Sequence, residues 1–463
     1  MKQPAVDEQA LLREEARYCS HGDTVHYLEP PKLFTGCAGS FLYDANDTPY
    51  LDLQMWYSAV NFGYGNERLN NALKRQIDTL PQVASQYLHR EKVELAAILC
   101  RAMKKIWDED GRVHFNVGGS QSIEDSLKLV RNASKGKSLM LAFEGGYHGR
   151  TLGASAITSS YRYRRRYGHF GDRGLFIPFP YCFRCPYKKR RDDCELYCLS
   201  QFERLFETEY YGLWDPKAPG GGEAEYAAFY IECIQGTGGY VIPPKDYYPR
   251  FKRILEERNI LLVDDEIQMG FYRTGKLWGL SNFGIKPDVV VFGKAMTNGL
   301  NPLAGIWARE ALINPQVFPC GSTHSTFASN PLGTAVALET MQMLAEGDYE
   351  QSVNQQGAYF LSGLRELQSR YPIIGDVDGL GLALRAEICA ADGFTPDKAM
   401  LDRIVDEGIK GDIEVDGKTY GLVLDVGGYY KNVITFAPSL HITREEIDLA
   451  MRLLDELLRR VTR

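Results

Sequence analysis

Short apolar runs recur along the middle of the chain, and each one stops at a polar or glycine-containing segment. The runs have the length of strands, and the stretches between them are long enough for helices or loops. Parallel neighbours in a sheet need such crossover connections, so the alternation predicts a doubly wound α/β domain with a mostly parallel sheet. The runs are RVHFNV at 112–117, SLMLAF at 138–143, YAAFYIECI at 226–234, NILLVDDEI at 259–267 and DVVVFG at 288–293.

The regions that flank these runs have other patterns. Before them, GSFLYDANDTPYLDLQ alternates around a turn at Asn46 and Asp47, which predicts a short hairpin. After STHSTFASNP, helical spacing resumes and leads to short strands and a closing helix, which is typical of a smaller α+β domain. We therefore expect an N-terminal segment at 1–60 that packs with the small domain, a large domain at 61–330 with a cysteine-rich insertion near 181–200, and the small domain at 331–463.

Charge and hydropathy limit the possible partners. The 463 residues carry a net charge of -7 at pH 7, which argues against nucleic acid or an anionic membrane, because both attract positive charge. The segment YRYRRRYGHF at 161–170 superficially suggests nucleic-acid binding, but we interpret it as a solvated or subunit-facing surface. Membrane-length apolar runs are missing from the sequence, and acidic residues occupy its start, where a signal peptide has none. We expect a cytoplasmic protein that acts on a small molecule.

Four of the predicted strand ends carry groups that suit one cofactor. Lys294 follows an apolar run, where a lysine is either a solvated strand end or an amine kept for chemistry. Asp265 ends another run, and a carboxylate at that depth needs a cationic partner such as a protonated pyridine nitrogen. Gly119 and Ser120 begin a helix that could hold a phosphate, although such a pair is often only a cap, and Tyr147 could stack on a flat ring. Together these groups predict pyridoxal 5'-phosphate.

The segments LLVDDEIQMGFYRTGKLW and KPDVVVFGKAMTNGLNPLAGI resemble the class III pyridoxal-phosphate aminotransferases, a family that includes ornithine, acetylornithine and 4-aminobutyrate aminotransferases. The resemblance extends from YLDLQMWYSAVNFGYG to NVITFAPSLHIT. It implies the aspartate-aminotransferase-like fold type I and a homodimer with active sites at the subunit boundary. It also implies transfer of an amino group from an amino acid or ω-amino acid to a 2-oxo acid such as 2-oxoglutarate or pyruvate. A racemase or epimerase on the same fold is the alternative, and a non-catalytic binding protein is disfavoured because Lys294 and Asp265 are both present.

The resemblance further implies roles for individual residues. Lys294 would form the Schiff base, from which a quinonoid arises, and would move the proton, while Asp265 would keep the ring nitrogen protonated. Thr326 would reach the phosphate of the partner subunit. Trp56 would narrow the pocket and could stack on the substrate, or it could be only a core residue. Tyr57 and Arg150 match positions that contact a substrate carboxylate in ornithine aminotransferase. The implied cofactor-binding residues are Gly119, Ser120, Tyr147, His148, Glu232, Asp265, Ile267, Gln268, Lys294 and Thr326.

Two departures from the family pattern bear on the substrate. Many members carry QGEGG and NVIRF, whose glutamate and arginine form a switchable pair that binds or releases a substrate carboxylate. Here the segments read QGTGG and NVITF, so that Thr237 and Thr435 take these positions. Replacement of both the glutamate and the arginine is physically reasonable, because either charge alone would be buried and unpaired. Arg150 could still bind a carboxylate as a bidentate partner, or it could be only a supporting or helix-capping arginine.

The insertion CFRCPYKKRRDDCELYC contains two close pairs of cysteines. Four thiolates at this spacing could hold a structural zinc ion and order a charged loop, although the gap between the pairs is shorter than usual. Free thiols or one disulfide remain as alternatives. The four residues are Cys182, Cys185, Cys194 and Cys198.

Overall fold

The computed structural model describes residues 7–20, 22, 31–164, 167, 174–207, 213–219 and 222–463. Residues 165, 166 and 168–170 of the arginine- and tyrosine-rich segment lie outside the described residues. Within the described ranges, no helix combines the length and the apolar composition needed to span a bilayer.

The strands are labelled in chain order. They are β1 Phe34–Ala38, β2 Phe41–Asp44, β3 Pro49–Asp52, β4 Gly111–Asn116, β5 Leu139–Phe143, β6 Gly174–Ile177, β7 Trp214–Asp215, β8 Glu223–Ala224, β9 Tyr226–Ile231, β10 Leu261–Asp265, β11 Val289–Phe292, β12 Ala304–Arg309, β13 Ile374–Leu380, β14 Ala383–Ile388, β15 Ile413–Val415, β16 Lys418–Val423, β17 Asp425–Gly427 and β18 Val433–Phe436.

The helices are labelled in the same way. They are α1 Glu8–Tyr18, α2 Met55–Ser58, α3 Glu67–Thr79, α4 Arg90–Trp107, α5 Gly119–Ala133, α6 Leu152–Ile157, α7 Tyr161–Arg164, α8 Tyr197–Glu203, α9 Tyr247–Glu256, α10 Glu310–Ile313, α11 Pro331–Glu346, α12 Tyr349–Arg370, α13 Lys398–Ile409 and α14 Arg444–Thr462, with 3₁₀ turns at Arg204–Phe206, Gly279–Phe283 and Lys294–Thr297.

The large sheet has seven strands in the order β4-β12-β11-β10-β9-β5-β6. Neighbours from β11 to β6 are parallel, whereas β12 runs antiparallel to both β4 and β11. Every residue of β9 and β11 is buried, as expected for strands that are covered on both faces. The predicted α/β fold with a mostly parallel sheet is confirmed. The antiparallel strand β12 was not predicted, and the connection from β10 to β11 holds a 3₁₀ turn at Gly279–Phe283 instead of a crossover α-helix.

The predicted hairpin is also confirmed, since β2 and β3 pair antiparallel. Strand β3 then pairs in parallel with β16, so the N-terminal hairpin shares a sheet with strands of the C-terminal region. A second sheet in that region has the order β13-β14-β18-β17. Helix α11 packs against α3 and α4 beside the large sheet. The domain limits at residues 60 and 330 stay predictions.

The turn α2 has an unusual backbone. All four of its residues have positive φ, with values of 44°, 51°, 57° and 62° from Met55 to Ser58. Asp52 supports its start, because Oδ1 of Asp52 accepts the N–H groups of Gln54 at 2.7 Å and of Met55 at 2.9 Å. These two hydrogen bonds fix the backbone where the left-handed turn begins.

Strand β14 carries a buried charge network. Glu387 is fully buried and forms ion pairs with Arg184 and Arg385. Tyr181 donates its O–H to the same carboxylate. Because Tyr181 and Arg184 belong to the loop between β6 and α8, this network joins that loop to the C-terminal region.

Candidate active site

The polar side chains of the candidate site lie where strands of the large sheet end. Strand β10 ends at Asp265, Glu232 follows β9, and Lys294 follows β11 after one glycine. These strands are parallel, so their carboxyl ends meet at one edge of the sheet, where ligands of open α/β sheets bind. The predicted convergence of Asp265 and Lys294 follows from this topology.

A cavity of about 440 Å³ opens at this edge. Its wall contains five basic and three acidic side chains, so it offers both signs of charge to a ligand. The lining residues are Tyr57, Tyr147, Arg150, Arg162, Tyr163, Gly236, Thr237, Gln268, Lys294, Lys398, Asp402, Val405, Asp406, Asp425, Val426, Gly427 and Lys431.

The amine of Lys294 faces this cavity. Its Nζ donates a hydrogen bond of 3.2 Å to Oε1 of Gln268, and Nε2 of Gln268 donates one of 2.8 Å to the hydroxyl of Tyr240. Burial lowers the pKa of Lys294 below its usual value, while the negative charges of Glu232 and Asp265 oppose that shift. A larger share of the amine is therefore neutral than in a solvated lysine, and a neutral amine is nucleophilic.

Asp265 is held by two neighbours. Nδ1 of His148 lies 2.9 Å from Oδ2 of Asp265, and the N–H of Ile267 donates to Oδ1 at 3.2 Å. His148 and Asp265 are both buried, and Nε2 of His148 has no hydrogen-bond partner among the described residues. The protein therefore orients the carboxylate through hydrogen bonds to both of its oxygens.

Glu232 is a buried carboxyl beside this pair. Its Oε1 accepts the N–H of Tyr147 at 2.8 Å, and its Oε2 accepts the N–H of Gly236 at 2.9 Å. Burial raises the pKa of Glu232 to about 7, although the positive charge of His148 opposes the shift. Glu232 therefore titrates near neutral pH and fixes the backbone at both Tyr147 and Gly236.

The start of α5 forms a tight cradle. A Cβ added to Gly119 would lie 2.8 Å from Cδ1 of Ile267, so a larger residue would require the Ile267 side chain to move. Oγ of Ser120 accepts the N–H of Arg150 at 3.3 Å. The first N–H groups of a helix lack intrahelical partners, and this end of α5 can bind an anion.

Tyr147 and Arg150 form one side of the cavity with a residue that the sequence did not single out. The ring of Tyr147 meets that of Tyr163 edge-on at 5.2 Å, and the guanidinium of Arg150 lies 4.3 Å above the Tyr163 ring. Tyr57 lines the cavity, whereas Trp56 is 55% exposed and its ring lies against Gly299. This position of Trp56 is set by the left-handed turn α2.

Asp425 is a further cavity residue that the sequence did not single out. It is 8% exposed, and its Oδ2 accepts the hydroxyl of Thr435 at 2.7 Å while Oδ1 accepts Nε2 of Gln54 at 3.2 Å. Thr237 also lines the cavity and donates to the carbonyl of Gly145 at 3.4 Å. The two threonines thus hold local hydrogen bonds, and Thr435 orients an acidic group.

Thr326 lies apart from these groups. Its side chain is exposed in a turn ahead of α11. The role implied for it, a contact with the phosphate of a partner subunit, stays a prediction.

Comparisons with known proteins identify relatives over nearly the whole chain. The family profile described as Aminotransferase class-III matches residues 25–458. A leucine/methionine racemase from Thermococcus litoralis is 31% identical over 88% of this chain and 86% of its own. An alanine/serine racemase from Pyrococcus horikoshii is 29% identical over 99% and 92%. An ornithine aminotransferase from Brevibacillus brevis is 27% identical over 97% and 98%.

A solved structure confirms the fold. An S-selective transaminase from Bacillus megaterium superposes with a TM-score of 0.85 at 24% identity, covering 98% of each chain. The expected fold type I of pyridoxal-phosphate-dependent transaminases is therefore the fold of this protein. Since the family profile covers most of the sequence, the chain belongs to the class-III aminotransferases, a pyridoxal-phosphate-dependent enzyme family.

Proposed function

We propose that the protein is an aminotransferase that moves an amino group from an amino acid or ω-amino acid to a 2-oxo acid, with pyridoxal phosphate bound at Lys294. The observation that carries the proposal is the amine of Lys294, which has a lowered pKa and faces a cavity beside two acidic groups, Glu232 and Asp265. A strand-end lysine on an ordinary surface would be solvated and would keep its usual pKa.

The residues of the site fit pyridoxal phosphate. Asp265 can accept a hydrogen bond from the protonated ring nitrogen, and it needs such a cation because it is 4% exposed. The N-terminus of α5 at Gly119 and Ser120 can hold the phosphate. Tyr147 can cover one face of the ring, and Ile267 beside the cradle can cover the other.

When bound, pyridoxal phosphate supplies an electron-poor ring that stabilises negative charge on the substrate carbon next to the amino group. Lys294 would hold the cofactor and, once released by the substrate, would take the proton from that carbon and deliver it to C4′ of the cofactor. Gln268 positions Lys294 through its 3.2 Å hydrogen bond and is itself fixed by Tyr240. His148 keeps Asp265 in place, so that the ring nitrogen stays protonated.

The substrate side of the cavity suits a zwitterion. Arg150, Arg162 and Lys431 contribute positive charge to the lining of the cavity, and Asp425 contributes negative charge. A guanidinium such as that of Arg150 binds a carboxylate through two parallel hydrogen bonds. We propose Arg150 and Tyr57 as substrate-binding residues in place of the glutamate and arginine that Thr237 and Thr435 replace.

The test is a half-reaction without an acceptor. Purified protein is mixed with one amino acid at a time, and the visible band of lysine-bound pyridoxal phosphate is followed. Conversion to the pyridoxamine form with release of an oxo acid supports transamination. The proposal is refuted if added pyridoxal phosphate gives no such band, or if no amine from a panel of α- and ω-amino acids converts it.

A racemase is the second candidate, because two relatives carry racemase names at 31% and 29% identity. In addition, Thr237 and Thr435 replace the glutamate and arginine pair that lets one site bind two different substrates in turn. The same mixtures, run in deuterated solvent, separate the two activities. Racemisation gives deuterium at the α-carbon and loss of optical purity without oxo acid, whereas transamination gives the oxo acid.

We also propose that the protein is a homodimer whose interface includes the loop 81–89 and the turn that carries Thr326. Leu88 is 82% exposed and Phe327 is 69% exposed, and a hydrogen bond of 2.8 Å from His89 to the carbonyl of Ser329 joins the two segments. Exposed apolar groups that lie together are typical of interfaces. Light scattering should give a dimer for the unmodified protein, a monomer for Leu88→Asp and a dimer for the control Leu152→Asp. The cytoplasmic location remains a prediction.

A further inference from the structure

The cysteine-rich loop is not explained by the proposed chemistry. It connects β6 to α8, and its described residues 178–196 form turns and bends without a helix or strand. Three of its four thiols lie in the turns, and Cys198 lies in the first turn of α8. All four are partly buried free thiols. Such burial is unusual for a loop in which Lys188, Lys189 and Arg190 are exposed.

The four thiols converge on one small cavity. Cys182, Cys185, Cys194 and Cys198 line a space of about 20 Å³, together with apolar walls from Pro180, Pro186 and Pro244. A space of this size holds one water-sized particle, since about 10–15 Å³ suffices for a water molecule. A single ion fits a space of this size.

The electrostatic surroundings suit thiolates that share a cation. Lys189 and Arg191 line the same cavity and offset the net negative charge of four thiolates around a divalent ion.

We propose that Cys182, Cys185, Cys194 and Cys198 bind one zinc ion as thiolates. Four soft sulfur ligands select zinc, and a complete tetrahedral set leaves no open position for catalysis. Binding releases four protons to solvent and changes no oxidation state. In the part of the chain that the structure describes, Cys233, Asp264 and Glu266 form a group whose ligand atoms all lie within 4.8 Å of one another, and no three of the loop thiols are that close. Binding of zinc would therefore draw the loop thiols closer together.

The ion would stabilise a contact between two parts of the fold. Tyr181 and Arg184 flank Cys182 and bind the buried Glu387 of β14. The Tyr181 ring also meets the ring of Tyr429 at 5.7 Å. A loop ordered by zinc loses less conformational freedom when it makes these contacts, so metal binding and attachment of the loop to β14 support each other.

Metal analysis of the full-length protein tests the proposal. Protein is purified from zinc-supplemented cultures without chelators, and its metals are measured by mass spectrometry. We expect one zinc per chain, removal of zinc by a strong chelator, and intense thiolate-to-metal absorption after replacement by cobalt. Cys182→Ser and Cys198→Ser should lose the zinc, whereas Cys320→Ser, which changes an exposed cysteine outside the loop, should retain it.

Three results would overturn the proposal. The first is unmodified, folded protein without bound metal whose four loop cysteines react with a thiol reagent. The second is a mass two protons lower that maps to a disulfide in the loop. The third is stoichiometric zinc that survives in both loop variants. If a loop variant does not fold, the cobalt spectrum of the unmodified protein decides whether thiolates bind the metal. That spectrum does not depend on pyridoxal phosphate, so its result is separate from the test of the aminotransferase activity.

Discussion

Glu232 should make the stability of the cofactor-free protein depend on pH. Its carboxyl is 6% exposed and beside the buried Asp265, and burial raises its pKa from 4.5 to about 7. In the unfolded chain the same carboxyl ionises near its usual value. Between these two pH values the folded chain holds one more proton than the unfolded chain, so the free energy of unfolding falls as the pH rises.

The size of the effect follows from the shift. A difference of about 2.5 pKa units corresponds to about 3 kcal/mol, which is lost between pH 4.5 and about 7 and stays lost at higher pH. The variant Glu232→Gln removes the titrating group. Its amide cannot accept both backbone N–H groups, from Tyr147 and Gly236, but that cost does not vary with pH.

The comparison uses urea unfolding of both proteins, without cofactor, across this pH range. The free energy of unfolding of the unmodified protein minus that of Glu232→Gln should fall by about 3 kcal/mol from the acidic to the neutral end. Infrared spectra should show a protonated carboxyl band that disappears near pH 7 and is absent in the variant. A difference that is flat with pH, or a carboxyl band already lost near pH 5, would show that the pKa of Glu232 is not raised in the folded protein.

Three further substitutions test other parts of the molecule. Lys294→Ala should abolish turnover of every amine while circular dichroism stays unchanged, and full activity would exclude Lys294 as the cofactor amine. Gly149→Ala introduces a side chain at φ 120° that would collide with Ser120, so we expect a raised Kd for pyridoxal phosphate, and an unchanged Kd would contradict a phosphate site there. Glu387→Ala removes the buried carboxylate that pairs with Arg184 and Arg385, of which Arg385 keeps only Asp376 at 3.5 Å, and should lower the free energy of unfolding by about 3–5 kcal/mol. The exposed pair at Glu350 is the control, and Glu350→Ala should cost about 1 kcal/mol or less; equal losses would be inconsistent with the buried network.

The strand ends of the large sheet could be predicted because their signal is local. The runs before Glu232, Asp265 and Lys294 are apolar on both faces, which is typical of strands in a parallel sheet. The carboxyl ends of parallel strands lie at the same edge of a sheet, so the sequence pattern alone predicts that these side chains lie close together. The roles proposed for them remain to be tested.

Strand β12 could not be predicted in the same way. Its sequence AGIWAR is short and follows a loop, and the pairing that defines it joins Ala304 to Asn116, far away in the chain. Antiparallel insertion between β4 and β11 depends on such non-local pairing, which local periodicity does not reveal. The sequence therefore predicted a parallel sheet without this strand.

The residues of the cavity that come from the C-terminal region were missed for a related reason. Asp425 and Lys431 lie more than a hundred positions after Lys294, and only the packing of the two regions brings them to one cavity. A signal was present, because Asp425 is a single acidic residue within the apolar segment VLDVGG, and a charge at such a place needs partners. Thr435, noted as a replaced arginine, is one of those partners.

The left-handed turn from Met55 to Ser58 limits how this protein can be engineered. An L-residue in that conformation costs about 1–2 kcal/mol, so four in succession cost a sum comparable to the net stability of a whole domain. Glycine or asparagine tolerates the same backbone, and selection for heat resistance should favour such replacements at Trp56 and Tyr57. The replacement at Tyr57 would also remove an aromatic side chain that lines the cavity. Thermostability and substrate recognition therefore compete at Tyr57, whereas Trp56 can change without loss of a cavity wall.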